Sequence, residues 1–145
     1  LLEAMEQRMQ PVLNFLFPEI PGNHPSRKSI ATNLLANVLG LGWAATPAGL
    51  KAMEELADLE EERRRKKQRA VPIGAASNEM CDFLILNISS LQLIPVNIIA
   101  FRTEYGSVTP TAIVGPAILA TAVSTGIAIF YIKIRKYIYR KLFDR

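Results

Sequence analysis

An uncharged stretch with a broken centre most constrains what this chain can fold into. Residues 33–51 read NLLANVLGLGWAATPAGLK and carry no charge before Lys51, yet three glycines and Pro47 interrupt them. Glycine costs about 1 kcal/mol and proline about 3 kcal/mol in a helix interior, so a soluble core helix would rarely keep such a centre. A membrane protein tolerates such breaks where neighbouring protein satisfies the freed backbone groups. The stretch therefore predicts two short helical arms that meet at a bend, GLGWAATP.

The charges around this stretch favour a hairpin. Each arm is about ten residues, or about 15 Å, which is half of an apolar layer of roughly 30 Å. Arg27 and Lys28 precede the first arm, and a basic run at 63–69 follows the second. Because basic flanks prefer the cytoplasm, a re-entrant hairpin over 30–57 is favoured over one broken crossing.

Short polar side chains suggest where the two arms begin. Ser26 or Ser29 can cap the first arm, which is predicted to end near Leu39. Pro47 suits the first turn of a helix, so the second arm is predicted to start with Thr46 as its cap.

The segments on either side of the hairpin are more polar. Residues 1–21 predict an amphipathic helix, kinked or restarted at Pro11, that either lies in the membrane interface or packs on a core. Residues 58–79 predict a charged cytoplasmic loop, although their acidic-then-basic order allows pairs four residues apart on a helix. The sequence begins with Leu1, so we expect a fragment that lacks its natural N-terminus.

Two further apolar segments are close to membrane-spanning length. Residues 82–101 contain several polar side chains and Pro95, which predicts a helix that unwinds between Ser89 and Pro95. Residues 111–132 run for about twenty residues without a charge and predict a regular transmembrane helix. The tail 133–145 is basic and aromatic, as is typical of a cytoplasmic interface, so the C-terminus is predicted to be cytoplasmic.

Composition excludes several classes of protein. Hydrophobic residues make up 50% and charged residues 21% of the chain, which indicates apolar blocks separated by charged ones. The net charge of +4 suits nucleic acid or a membrane surface. The basic run 63–69 lacks interleaved aromatic residues and lies next to three glutamates, so we expect a solvated loop that sets the membrane topology and no nucleic-acid partner. The expected partner of the apolar segments is the lipid bilayer. One cysteine excludes an intrachain disulfide and a multi-cysteine zinc site. No nucleophile lies beside a base, so we expect neither an enzyme nor a metal or cofactor.

Breaks in membrane helices can build a site for a polar solute or an ion. Backbone groups freed at such breaks coordinate ions, and short polar side chains beside them contact solutes. The alternative is that the same polar groups only hold helices together, and the sequence leaves both open. The candidate solute-binding or gating residues are Asn33, Asn37, Gly40, Gly42, Thr46, Asn87, Ser89, Ser90, Gln92 and Asn97.

Several motifs in a fixed order resemble one family. LFPEIP with a following HP, then ANVLGLGWAATPAGLKAM, then NISSLQLIPVNIIAFR, then PTAIVG are similar to the spore maturation protein A family, which carries the nucleoside recognition, or Gate, domain. The resemblance covers about Leu13 to Ile132. The family commonly has asparagine where this chain has Trp43, and the basic run 63–69 is longer than the family suggests.

The resemblance implies a single Gate-type membrane domain over 1–145. It further implies a multi-pass protein of the bacterial inner membrane that pairs with a related subunit of the spore maturation protein B type, or with itself, and that is linked to dehydration of the spore core. The predicted fold is therefore an all-α integral membrane protein: an amphipathic helix, a re-entrant or broken hairpin, a discontinuous transmembrane helix and a regular one. The predicted function is half of a transporter- or channel-like complex; the alternative is a non-transporting membrane scaffold.

Overall fold

Helices account for all the regular structure that is described. The computed structural model describes residues 2–89 and 92–143, with side chains for 8–89, 92–139 and 141. Within these ranges the chain forms no strand, as predicted. The helices are α1 (Leu2–Leu16), α2 (Ser26–Val38), α3 (Gly42–Arg65), α4 (Asn78–Ile88), α5 (Val96–Glu104) and α6 (Val114–Phe143), and a 3-10 turn (Pro110–Ile113) leads into α6.

Helix α1 packs on the core of the chain. Pro11 lies inside this helix, which continues through it without a restart. Leu13 is fully buried and Leu16 almost so, whereas Phe15 on the other side is 57% exposed. Of the two predicted roles, lying in the membrane interface or packing on a core, the buried side of α1 therefore fulfils the second. Residues 17–21 belong to the following turn rather than to the helix.

A buried arginine joins the turn after α1 to the start of α2. The Arg27 side chain is 3% exposed. Its guanidinium donates to the Ile20 carbonyl (3.0 Å), to the Gln10 side chain (3.2 Å) and to the Asn14 side-chain oxygen. Because a buried guanidinium must be satisfied, these three bonds fix the direction in which the chain enters α2.

Helices α2 and α3 pack against each other as a hairpin that reverses within three residues. Gly40 at the reversal has a φ of +73°, the left-handed region that suits glycine. A side chain at Gly40 would not fit, because its Cβ would lie 2.0 Å from the Ile94 carbonyl oxygen. Whether this hairpin re-enters a membrane stays a prediction.

The predicted helix starts around the hairpin are wrong. Helix α2 begins at Ser26 after Pro25, and no side chain caps it. Helix α3 begins at Gly42 rather than after Thr46, whose hydroxyl donates back to the Gly42 carbonyl at 3.2 Å. The left-handed residue at Gly40 reverses the chain so tightly that α3 starts four residues before the expected cap, and Pro47 falls inside the helix.

Helix α3 continues into the region that was expected to be a charged loop. It ends at Arg65, so residues 58–65 are helical and the loop begins at Lys66. Glu61 pairs with Arg65, and Glu62 pairs with Lys66, each across one helical turn at 2.5 Å. Such pairs, together with basic residues at the C-terminal end of the helix dipole, stabilise the helix in this charged stretch.

The apolar segment 82–101 is broken where the sequence predicted. Helix α4 ends at Ile88 and α5 begins at Val96, so the described residues between them, Ser89 and 92–95, are not helical. The backbone amide of Leu93 donates to the Val38 carbonyl at the end of α2, at 2.8 Å. The break therefore lies directly against the reversal of the hairpin.

One apolar core among the described residues holds five of the helices together. Its members come from α1 and the turn after it, α2, α3, α4 and α6, and the largest of them are Leu13, Phe17, Ile30, Leu56, Phe83 and Ile132. Helix α5 has no buried residue.

Helix α6 leaves most of its apolar surface outside this core. Among the described residues, one helical stretch, Pro110–Tyr139, is long and apolar enough to cross a membrane, and only 6% of its most apolar window is buried within the chain. The helix is longer than the predicted 111–132, because the tail continues it to Phe143.

Replacement of Gly40 by alanine tests the close contact at the reversal. We expect Gly40→Ala to lower the free energy of unfolding by more than about 2 kcal/mol, because a left-handed backbone and a steric clash both oppose the added methyl group. Gly42→Ala is the matched control, since nothing lies within 4 Å of the Cβ position there. Thermal unfolding of the detergent-solubilised protein measures both; equal stabilities would contradict the predicted contact.

Candidate functional site

Three asparagine side chains meet where α2, α3 and α4 pack. The Asn37 amide nitrogen donates to the side-chain oxygen of Asn87 at 2.7 Å and to that of Asn33 at 3.3 Å. The Asn33 amide nitrogen donates to the Ala45 carbonyl at 2.8 Å. These three residues, here called the asparagine cluster, were all predicted as site residues from the sequence, and the structure brings them together.

The missing side chain of Gly49 makes room for the asparagine cluster where α3 approaches it. A Cβ at Gly49 would lie 2.9 Å from the Asn33 amide nitrogen and 4.0 Å from that of Asn87. Gly49 therefore lets the backbone of α3 come near two of the asparagines. From the sequence, Gly49 was expected only to break the helix. Its position four residues after Ala45, on the same face of α3, was the available signal of a close helix contact.

The asparagine cluster keeps unused hydrogen-bonding capacity. Each amide side chain offers two donor hydrogens and an oxygen acceptor. Within the described part of the chain, the side-chain oxygen of Asn37 and the side-chain nitrogen of Asn87 have no hydrogen-bonding partner. Asn33 is 1% exposed, whereas Asn37 and Asn87 are only half-buried. One acceptor and one donor are thus available on the more accessible side of the cluster.

Two threonines of α6 hold the other side of the break. The Thr125 hydroxyl donates to the Ser89 carbonyl at 2.6 Å. The Thr121 hydroxyl donates to the Ala117 carbonyl within α6 at 2.8 Å and accepts from the Gln92 backbone amide at 3.3 Å. Backbone groups that lost their helical partners at the break therefore bond to α6 on one side and to Val38 on the other.

Thr121 and Thr125 were missed by the sequence analysis. Their spacing of four residues on an otherwise apolar helix was the signal, because it places two hydroxyls on one face.

The remaining predicted site residues do not join the asparagine cluster. Gly40 contacts the break through its backbone, while Gly42 and Thr46 are exposed at the start of α3. The Ser89 hydroxyl donates to the Leu86 carbonyl at 3.3 Å, and Gln92 takes part through its backbone. Asn97 is exposed on α5. Ser90 lies outside the described residues.

Charged side chains form a second polar region at the N-terminal end of α4. Arg63 of α3 pairs with Glu79 of α4 at 2.7 Å and with Glu60. Burial disfavours the charged form of Arg63, but the hydrogen bonds and charges of Glu79 and Glu60 outweigh it and hold its pKa above the usual value. The basic run 63–69 is thus partly built into the fold rather than wholly solvated.

A fully buried carboxylate completes this region. Asp82 of α4 is 0% exposed and pairs with Arg135 and, at 3.1 Å, with Lys136 of α6. Lys136 also contacts Glu19 and the Leu16 carbonyl, each at 2.9 Å. Removing one partner of such a buried pair leaves an uncompensated charge, so these ion pairs fix where α4 sits between α1 and α6.

The asparagine cluster consists of neutral side chains. Among the described residues, no three histidine, cysteine or carboxylate side chains come together to hold a metal ion. His24 bonds to the Ser26 hydroxyl at 2.8 Å within the turn before α2. The chemistry available at the asparagine cluster is neutral amide and carbonyl hydrogen bonding.

Comparison with known proteins identifies one curated relative. The chain is 44% identical over 141 residues to the spore maturation protein A of Bacillus subtilis (strain 168), an alignment that covers 97% of this chain. The chain spans 66% of the length of that relative. No family model matches the chain, and no solved structure matches it.

Asn33 tests whether the asparagine cluster supports the fold. We expect Asn33→Ala to destabilise the protein by about 1–3 kcal/mol, because the buried Ala45 carbonyl loses its side-chain donor and a small cavity remains. Asn97→Ala, at the exposed position on α5, is expected to change stability by less than about 0.5 kcal/mol. Thermal unfolding in detergent compares the two variants, and an equal effect at both positions would contradict the role of the cluster.

Thr125 tests the bond between α6 and the break. We expect Thr125→Val, which keeps the side-chain shape and removes the hydroxyl, to cost about 0.5–1.5 kcal/mol. Ser124→Ala, at the exposed neighbouring position, is the control. Amide hydrogen exchange provides the local measurement: the amides of Gln92 and Leu93, which follow the Ser89 carbonyl in the break, should exchange faster in Thr125→Val alone. Unchanged exchange there would contradict the role of Thr125.

Proposed function

Because the chain belongs to the spore maturation protein A family, we propose that it is a membrane subunit forming half of a transporter- or channel-like complex. The complex would move a small polar solute or an ion during sporulation, in a step linked to dehydration of the spore core. The family and the apolar helix α6 support a membrane protein related to sporulation.

The asparagine cluster beside the broken helix is the observation that supports transport. A polar solute that leaves water must recover its hydrogen bonds inside the membrane. The unused acceptor of Asn37 and the unused donor of Asn87 offer one of each, next to a break whose backbone is irregular. Discontinuous helices with such groups are the way many transporters build midplane sites.

Helix lengths and charges support the arrangement in the membrane that we propose. Helix α2 has 13 residues, about 20 Å, which is too short for a crossing of roughly 30 Å. We therefore place α2 and the apolar start of α3 in a re-entrant hairpin, with α4, the break and α5 as one discontinuous crossing and α6 as a regular one. The basic loop after α3 and the C-terminal tail lie in the cytoplasm of a multi-pass inner-membrane protein.

The second candidate is a scaffold that transports nothing. Its support is that the asparagine side chains bond to one another and to the Ala45 carbonyl, as polar groups do when they hold helices together. Both candidates have the same partners: the lipid bilayer and either a related subunit of the spore maturation protein B type or a second copy of this chain. Neither assigns a catalytic activity or a cofactor.

Asn37 separates the two candidates. We expect Asn37→Leu in the full-length protein to abolish solute movement, because it removes the donor shared by Asn33 and Asn87 as well as the unused acceptor. In a spore-forming host that depends on this gene, spores should lose core density while membrane levels of the protein and co-purification with its partner subunit stay unchanged. Buoyant density of spores and affinity purification measure these effects.

The matched control is Asn97→Leu, which makes the same chemical change at the exposed position on α5. Loss of partner co-purification in Asn37→Leu, with the density defect as its consequence, would favour the scaffold. Normal spore density in Asn37→Leu would refute the solute site.

A further inference from the structure

A cavity of about 670 Å³ lies beside the N-terminal end of α4, away from the asparagine cluster. The end of α3, the loop after it, the start of α4 and the basic part of α6 surround it. Charged side chains of both signs line it: Arg63, Arg69, Arg135 and Lys136 with Glu19, Glu60 and Glu79. A cavity of this kind is large enough for a polar headgroup.

The wall formed by α6 and Arg69 is suited to a phosphate group. Arg135 uses Nη2 for Asp82 and for the Asn78 carbonyl. Its Nη1 and Nε have no hydrogen-bonding partner within the described part of the chain, so the guanidinium can still donate. The Arg69 guanidinium lies over the ring of Tyr139, 5.3 Å from its centroid. Because Tyr139 lies one turn after Arg135 on α6, this contact brings a second guanidinium to the wall. Arginine forks of this kind bind phosphate oxygens.

The part of the lining that the end of α3 and the start of α4 form, here called the second wall, is suited to a cation. Glu60 and Glu79 share one guanidinium, that of Arg63. Within the described residues no other cation pairs with either carboxylate, and the Val71 backbone amide donates to Glu60 at 3.0 Å. Two negative charges there face one positive charge. Glu19, whose side chain is 47% exposed, is a third carboxylate of the lining, and it pairs with Lys136 at 2.9 Å. A small ammonium group with N–H donors would complete this wall.

The position of the cavity along α6 suits a lipid headgroup. Arg135 and Lys136 follow directly on the uncharged stretch Thr111 to Ile132, whose 22 residues span roughly 33 Å of helix. If that stretch fills the apolar layer, these side chains lie at headgroup depth. Basic pockets between helices at this depth are known to bind lipid headgroups.

We propose that this cavity binds the headgroup of a phospholipid that carries a phosphate and a primary ammonium, as in phosphatidylethanolamine. The phosphate lies against Arg135 and Arg69, and the ammonium lies against the carboxylates around Arg63. The proposal requires α6 to cross the membrane but does not depend on solute movement by the complex, so it survives if transport is disproved.

Native mass spectrometry of the full-length protein in detergent tests this site. The protein is titrated separately with phosphatidylethanolamine, phosphatidylglycerol and phosphatidylcholine, and retained lipid is counted. We expect tightest retention of phosphatidylethanolamine, because phosphatidylglycerol lacks the ammonium and phosphatidylcholine lacks N–H donors. Equal retention of either competitor would overturn the two-walled assignment. Displacement of the lipid by an equal concentration of soluble phosphoethanolamine would show that a free solute, not a lipid, is the ligand.

Arg69→Gln and Arg65→Gln form a matched pair of variants. Both remove one arginine from the same charged segment, but Arg65 pairs with Glu61 and does not line the cavity. Arg69→Gln should weaken phosphatidylethanolamine retention about fivefold, as expected for one cation near a lipid surface, and Arg65→Gln should not. Equal loss in both, or in neither, would overturn the proposal. Arg135→Gln, scored together with thermal stability, should weaken retention more than Arg69→Gln in protein that remains folded, and unchanged retention there would count against the site.

Discussion

The backbone groups released where a helix breaks must find partners inside the protein, and this requirement governs the arrangement of the chain. At the break after α4, the partners come from two directions: the Val38 carbonyl at the end of α2, and the Thr121 and Thr125 hydroxyls of α6. In lipid each unsatisfied group costs several kcal/mol, so the hairpin and α6 must both lie against the break. Gly40 makes this possible, because any side chain there would displace the Ile94 carbonyl.

Helix α4 links the two polar regions of the fold. It has 11 residues, about 16 Å, and its N-terminal end is held by Glu79 and Asp82 while its C-terminal end carries Asn87. The buried ion pairs therefore set the position of the asparagine cluster without touching it. If the headgroup cavity binds lipid, the lipid contacts the same ion pairs and is coupled to the cluster through one short rigid helix.

The sequence predicted the break in the segment 82–101 better than it predicted where helices start. Glycines, prolines and polar side chains in otherwise apolar segments identified the hairpin, the break from Ser89 to Pro95 and the asparagine cluster, because each is chemically costly in an apolar helix. The predicted starts of α2 and α3 were wrong. Pro25 and the left-handed Gly40 determine where these helices begin, rather than the expected serine and threonine caps. Thr121 and Thr125 were missed because their hydroxyls look unremarkable until the break lies beside them.

The sequence by itself determined the helical class, the number of apolar segments and the interruption between Ser89 and Pro95. These follow from local chemistry: glycine, proline and charge act on their own segment wherever it lies. Only the tertiary structure decided the partners. Arg27 and Asp82 are buried because distant segments supply their hydrogen bonds and opposite charges, and residues 58–65 are helical although they were expected to be a loop. Contacts between residues far apart in the chain depend on how the helices pack, and no local pattern encodes that packing.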